Sequence, residues 1–221
     1  AFWFLEVNTR LQVEHGVTEL VAGVDIVREQ LRIAAGMPLS PEARAAGERA
    51  ATPSSAAIEV RIAAEDPARA FQPTPGPIGR MMMLAGPGVR VDSAVESGDR
   101  VPPDYDNLIC KLMVHGHDRD AAIDRLARAL DETEIGGVQT TLPFHRAVAR
   151  HASFRAGDLS TGWVEEHWDG PDTLSAGSGA GRPAGMAAGV APGEDRNRRA
   201  RSSGSAWRQA SRTGGVDRWP A

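Results

Sequence analysis

Glu6, Asn8, Arg10, Gln12 and Glu14 occupy every second position of the run Phe4-Leu-Glu-Val-Asn-Thr-Arg-Leu-Gln-Val-Glu-His15, with Leu5, Val7, Leu11 and Val13 among the intervening positions. The apolar stretch Phe2 to Leu5 predicts a buried strand at its head. Side chains alternate faces along a strand, so this spacing gathers two carboxylates, two amides and a guanidinium on one face. Glu6 and Asn8 then offer hard oxygens of the kind that Mg²⁺ takes together with substrate phosphates. Arg10 offers a rigid fork for a planar oxyanion such as carboxylate or bicarbonate. Glu14 is placed to act as a base, with Arg10 near it to keep it ionised. A solvated, salt-bridged strand face produces the same alternation, and the pattern alone does not separate the two readings.

The elements that would hold this face follow in order. Val24–Ala35 puts Ile26, Val27, Leu31 and Ala34 on one helical stripe, with Asp25 for the first turn and Gly36 and Pro38 to stop it. Ser40-Pro41-Glu42 has a cap residue followed by proline at the first helical position, and opens an Ala-rich helix through Ala51. Pro53-Ser-Ser55 marks a boundary, so residues 1–55 read as a first unit. From Ala56 the period becomes two, with Ile58, Val60 and Ile62 alternating with Glu59, Arg61 and Ala63. Strand-like runs at 78–84, 89–95 and 106–115 are punctuated by Gly and Pro and suggest an antiparallel sheet. Asp118 leads into a helix with Ile123, Leu126 and Leu130 on one face; Thr141-Leu-Pro143 opens another to about Arg150, and Thr161–Trp168 a short last one. Residues 56–168 thus read as an α+β domain, an antiparallel sheet with flanking helices.

Composition bounds the rest. Apolar residues make up 41% of the 221, enough for a core, while aromatics are sparse at 5%. No run of eighteen apolar residues exists, and the start lacks both Met and a signal-peptide layout, so a fragment of a longer chain is expected. One cysteine, Cys110, excludes an internal disulfide and suits a reducing, cytoplasmic setting. It lies in an apolar run, where an inert buried thiol is expected. A net charge of −4 argues against nucleic-acid binding by the globular part. Lys111 is the sole lysine, in a strand pattern and not in a turn. From Asp169 onward the periodicity dissolves into Gly, Ala, Ser, Pro and Arg, so residues 169–221 are expected to be a disordered low-complexity tail. The tail carries eight Arg against four acids beyond Asp169, yet contact with nucleic acid or membrane is not expected of it.

Glu6-x-Asn8-x-Arg10 resembles the metal-binding strand of ATP-grasp enzymes, and Gln12-Val-Glu-His15 followed by Val17-Thr-Glu19 resembles the biotin carboxylase branch. Ile58-Glu-Val-Arg-Ile-Ala-Ala-Glu-Asp-Pro67, Pro73-Thr-Pro-Gly76, Gly88-Val-Arg-Val-Asp92, Asp104-Tyr-Asp106, Gly137-Val-Gln-Thr-Thr-Leu-Pro143 and Gly157-Asp-Leu-Ser-Thr161 are similar to that family's C-terminal domain. The likeness runs over about three quarters of the chain, roughly residues 1–168. It implies the C-terminal end of an ATP-grasp domain over 1–55, then the biotin carboxylase C-terminal domain over 56–168.

By match of motif, the resemblance implies that Glu6 and Asn8 hold Mg²⁺ (or Mn²⁺) under the phosphates of ATP. Arg10 orients bicarbonate and biotin, Gln12 and Val13 line the bicarbonate pocket, and Glu14 deprotonates bicarbonate. Arg61 steadies the enolate-like form of biotin, with Asp106 as its partner by the same analogy. From the residues alone, Arg61 is a surface arginine paired with Glu59, Asp106 an ordinary turn residue, and Met81-Met-Met83 strand filler. His15 is assigned a packing or hydrogen-bonding role. Arg90 matches a segment that contributes to dimer contacts, although Pro87 stands where an aromatic can occur.

The implied activity is the ATP- and bicarbonate-dependent carboxylation of biotin, by way of carboxyphosphate, within an acyl-CoA carboxylase. The partners implied are a separate biotin carrier protein or domain, a second copy of the chain, and a carboxyltransferase subunit. The Gly-rich phosphate loop and the lysines that grip ATP have no counterpart in these residues, so the 221-residue chain alone is expected to be inactive. Two other readings are a carbamoyl-phosphate or carboxylate–amine ligase, sharing Glu-x-Asn-x-Arg, and a non-catalytic fragment that docks on carboxylase partners.

Overall fold

Three helices come first among the described residues, which run from 3 to 170 of this computed structural model: α1 (His15–Ala22), α2 (Ile26–Ala34) and α3 (Pro41–Ala51). Their starts follow from their caps. The Asp25 carboxylate accepts from the Arg28 amide, and the Ser40 hydroxyl from the Ala43 amide at 3.0 Å, with Pro41 already set at the helical φ. Gly23 ends α1 in the left-handed region (φ 65°), which a side chain would resist. Both helices predicted over 24–51 are therefore present.

Next come β1 (Ala56–Ala63), β2 (Glu65–Asp66), β3 (Gln72–Pro73), β4 (Gly76–Pro77), β5 (Met81–Met82), β6 (Val89–Ser93), β7 (Arg100–Val101) and β8 (Leu108–Gly116). The chain continues with α4 (Arg119–Glu132), β9 (Glu134–Ile135), α5 (Leu142–Arg150), α6 (Ala152–Ala156) and α7 (Trp163–His167). β8 is the central strand of a three-stranded antiparallel sheet, flanked by β1 and β6. The remaining short strands pair as β2–β3, β4–β7 and β5–β9. The run predicted over 78–84 contributes only the two residues of β5.

Alternation divides that sheet into two chemically opposite faces. Ile62, Cys110, Leu112 and Val114 point to one side and are buried with Leu126, Ala129 and Leu130 of α4, so the core lies between sheet and helix. Burial pushes the Cys110 thiol up to about 12, leaving it a neutral, inert core atom as anticipated. The other face carries Glu59 and Arg61 from β1, Lys111 and Met113 from β8, and Arg90 and Asp92 from β6. Cross-strand register places Arg61, Lys111 and Asp92 in a single row across the three strands.

α1 packs on this charged face, against β1 and β8. Gly16 sits over Met113, where an added Cβ would overlap the sulfur, so a side chain there would force the Met113 side chain or the helix to shift.

One expectation for the first unit is corrected. Residues 3–12 form no strand: a strand needs a neighbour for its backbone groups, and no other described segment pairs with these. Trp3, Phe4 and Leu5 are 84%, 75% and 91% exposed. The α2 stripe is a helix face as predicted, but no residue of α2 is buried, and Leu31 is 69% exposed. The expected disordered tail lies, beyond residue 170, outside the described residues.

Candidate active site

The turn Val13–Glu14, at the head of α1, is laid on the charged face of the sheet and brings the two ends of the sequence pattern together. Glu14 Oε2 accepts from Arg61 Nη2 at 2.8 Å, across 47 residues of chain. Both side chains remain about half exposed, so the pair adds at most about 1 kcal/mol to stability, and its importance is geometric. Arg61 Nε lies 4.0 Å from Glu59 Oε1 on its other side. One guanidinium thus stands between two carboxylates, one open to solvent and one beneath it.

Arg61 is fixed from behind. The backbone carbonyl of Arg61 accepts from the Thr141 hydroxyl (3.2 Å) and from His145 Nε2 (2.9 Å), and the Thr141 oxygen also accepts from the Ala63 amide at 3.1 Å. Burial pushes the His145 imidazole down, although the Arg61 carbonyl pulls the other way. Its neutral form, with the proton on Nε2, makes this bond. Thr141 caps α5 by position only, its hydroxyl being committed to β1.

Lys111 is buried at the middle of the face. Its Nζ donates to the Val13 carbonyl at 2.9 Å and lies 3.5 Å from Asp92 Oδ2. Asp92 is held below the usual carboxylate range, chiefly by the two hydrogen bonds from Arg90. Arg90 also donates to Glu19 Oε2 at 2.6 Å, while Glu19 Oε1 accepts from the Ile26 amide at the start of α2. These partners push the Arg90 guanidinium up. Glu59 is in the opposite position. Burial pushes its carboxyl up, with Lys111 and Arg61 opposing, and its Oε2 is enclosed without a hydrogen-bond partner.

Beside the pair opens a cleft of about 370 Å³, lined by Val13, Arg61, Asp106, Asn107, Phe71 and Phe144 among others. Phe71 meets Phe144 edge to face with centroids 5.1 Å apart, and Phe144 meets Trp168 in the same way. Ala70 and Phe71 hold left-handed φ of 51° and 59°, a conformation that costs side-chain-bearing residues roughly 1–3 kcal/mol each. It turns Phe71 onto Phe144.

The sequence-predicted residues divide sharply. Glu14, Val13 and Arg61 are brought together. Glu6, Asn8, Arg10 and Gln12 are exposed on the irregular segment, and Arg10 donates, among the described residues, only to the neighbouring Leu11 carbonyl at 3.4 Å. Arg10 is therefore not the cation that faces Glu14; Arg61 is. Asp106 lines the cleft but accepts from the Leu108 amide at 2.7 Å, the turn role, and forms no ion pair with Arg61. His15 Nδ1 donates to the Gln12 carbonyl at 2.7 Å, the hydrogen-bonding role expected of it. Arg90 is engaged inside the chain.

Lys111, Thr141, His145 and Phe71 join the site without having been singled out for it by the motifs. One signal is present in the sequence, a lone lysine inside an apolar strand, since a buried ammonium must find a partner. Among the described residues no group of three His, Cys, Asp or Glu side chains is close enough to hold a metal ion. Glu6 and Asn8 are the right hard oxygen donors for Mg²⁺, and phosphates would have to complete the shell.

Comparison with known proteins assigns both parts. Residues 59–166 match the biotin carboxylase C-terminal domain, and residues 1–42 match the ATP-binding domain of the carbamoyl-phosphate synthase L chain. The chain is 48% identical over 171 residues to a pyruvate carboxylase subunit of Methanothermobacter thermautotrophicus, covering 77% of this chain and 34% of that one. It is 43% identical over 166 residues to the biotin carboxylase 1 of Bacillus subtilis, covering 75% and 36%. Among solved structures, it resembles the biotin carboxylase domain dimer of the Hydrogenobacter thermophilus 2-oxoglutarate carboxylase, in complex with MgADP, ADP and bicarbonate. That match has a TM-score of 0.70 and 42% identity over 75% of this chain and 35% of the other. The chain spans about a third of the length of these relatives.

Proposed function

Because the chain belongs to the biotin carboxylase family, we propose that it contributes the C-terminal part of an ATP-dependent ligase that carboxylates biotin on a carrier protein. The observation that carries this reading is the meeting of Glu14, from the segment before α1, with Arg61, from β1, at 2.8 Å. Two motifs that lie in different matched regions of the sequence converge on one spot.

In this reading, Glu14 accepts the proton of bicarbonate, and the resulting oxyanion attacks the terminal phosphate of ATP, displacing ADP and forming carboxyphosphate, which breaks down to CO₂ and phosphate beside biotin. Arg61 faces the ureido oxygen of biotin and stabilises the charge that develops there, a task suited to a guanidinium held at fixed geometry. Arg10, Gln12 and Val13 bind the planar reactants, and Val13 already lines the cleft beside Arg61. Glu6 and Asn8 would hold Mg²⁺, which would supply neutralisation of the phosphate charge. Glu14 rests against Arg61 at 2.8 Å; bicarbonate arriving at Arg61 would break the resting pair and leave Glu14 as its neighbour.

Lys111 is excluded as a biotin attachment site, being buried within β8 with its amine committed to Val13. In this reading biotin is presented by a carrier protein or domain, and the proposed assembly adds a carboxyltransferase and a second copy of the chain. Among the described residues no helix is long and apolar enough to cross a membrane. A carbamoyl-phosphate-synthase-like activity draws on the match over residues 1–42, but the match over 59–166 favours biotin.

The test joins residues 1–170 of this chain to the N-terminal two thirds of the Bacillus subtilis biotin carboxylase 1 and measures phosphate release from ATP. Release dependent on both bicarbonate and biotin is expected, with none from the 221-residue chain alone. Release from the isolated chain, or release by a folded chimera that ignores biotin, contradicts the assignment.

A further inference from the structure

Lys111 is buried, central to the charged face, and bonded to a residue 98 positions away. A strand needs none of this: an apolar residue at this place would avoid the desolvation of an ammonium, which costs several kcal/mol unless partners replace water. The partners are specific. Asp92 faces Lys111 from β6, Arg61 and Glu59 face it from β1, and the segment above supplies the Val13 carbonyl, while Glu14 and His15 lie near Glu59. The Val13 contact links the central strand to the loop that carries the proposed base. The turn at Gln12–Glu14 is further secured by local bonds, His15 to the Gln12 carbonyl and Val17 to the Glu14 carbonyl, and by the Glu14–Arg61 pair.

We propose that Lys111 is a positioning residue, whose ammonium holds the Gln12–Glu14 turn on the sheet and so sets Glu14 beside Arg61. Asp92 orients the ammonium from the opposite side, and Arg90 in turn orients Asp92. The row Arg61–Lys111–Asp92 therefore acts through one fixed strand register, with the base placed by the middle member and the oxyanion-stabilising group supplied by the end member. What this placement is for rests on the function proposed above; the placement itself does not.

Deuterium uptake by the full 221-residue chain, followed peptide by peptide, separates the two. In Lys111→Met the amides of residues 12–17 should exchange about tenfold faster, while α4 keeps its wild-type rate, and Lys111→Arg should restore most of the protection. Unchanged exchange over 12–17, or an increase spread equally through β1, β8 and α4, overturns the proposal, since a merely structural lysine would loosen the whole sheet. A measurement on the wild-type chain covers the case in which Lys111→Met does not fold. With ¹⁵N-lysine as the only labelled residue type, one ammonium signal in slow exchange is expected; its absence at neutral pH would equally overturn the proposal. Neither readout involves turnover, so a failure of the biotin carboxylase reading would leave both results standing.

Discussion

The segment before α1 and the sheet beneath it carry the two halves of one proposed site, but only the sheet is covered by its own core. Residues 56–166 bury an apolar face under α4 and present a charged face whose members are tied together across three strands. Residues 3–12 have most of the proposed ligands and almost none of the contacts, with Trp3, Phe4, Leu5 and Val7 open to solvent. The motif changes character along its own length. Its last members, Val13 and Glu14, are gripped by Lys111 and Arg61, whereas Glu6, Asn8 and Arg10 have no such anchor among the described residues. Chemistry at the Glu14 end is thus organised by this chain, and chemistry at the Glu6 end depends on contacts that the described residues do not make.

The largest expected effect breaks the organised end. In the chimera, Glu14→Gln or Arg61→Met should lower biotin-dependent phosphate release by about 10²–10⁴, the range for a lost general base or oxyanion partner. A loss under tenfold for both would remove the pair from the reaction.

The contrast in packing predicts the next effect. Leu126→Ala, in the core under β8, should cost about 2–5 kcal/mol in urea unfolding, while Leu31→Ala on the open face of α2 should stay within about 0.5 kcal/mol. Equal costs would mean that α2 is covered in solution by something the described residues do not supply.

Thr141→Val tests how the sheet fixes Arg61. It leaves the Arg61 carbonyl with one bond fewer and the Ala63 amide unpaired, for a cost of about 1–3 kcal/mol in the same unfolding measurement.

The smallest expected effect is a pH dependence centred on Glu59. Burial raises its folded carboxyl above the unfolded value, so in the window between the two the folded state binds the extra proton. Glu59 therefore lowers stability as pH rises through that window, and is without effect below it. Glu59→Gln should flatten the wild-type decline between the ordinary glutamate range and neutrality; a steeper decline in the variant would contradict the assignment.

Much of this is legible in the sequence wherever local chemistry decides. Asp25, Ser40 and Asp118 mark helix starts because a short polar side chain satisfies the first free amides, and each does so. The two-residue period of 56–63 defines β1 and both of its faces. The opening run fails as a strand because alternation describes what a segment can do once paired, and supplies no partner. Periodicity places Arg61 on the face with Glu59, but its partner Glu14 lies 47 residues earlier, beyond the reach of any local pattern. The roles of Lys111 and Thr141 lie beyond local pattern for the same reason, since they consist of contacts over 98 and 80 residues.

The most direct measurement is the transfer of ¹⁴C-bicarbonate to free biotin by the chimera, with Glu14→Gln and Arg61→Met beside it. Labelled carboxybiotin that requires ATP, and that falls by about a hundredfold or more in either variant, is the predicted result. Label transferred equally well by both variants, or no transfer by a folded wild-type chimera, would contradict the claim that these two residues form the reactive pair of a biotin carboxylase.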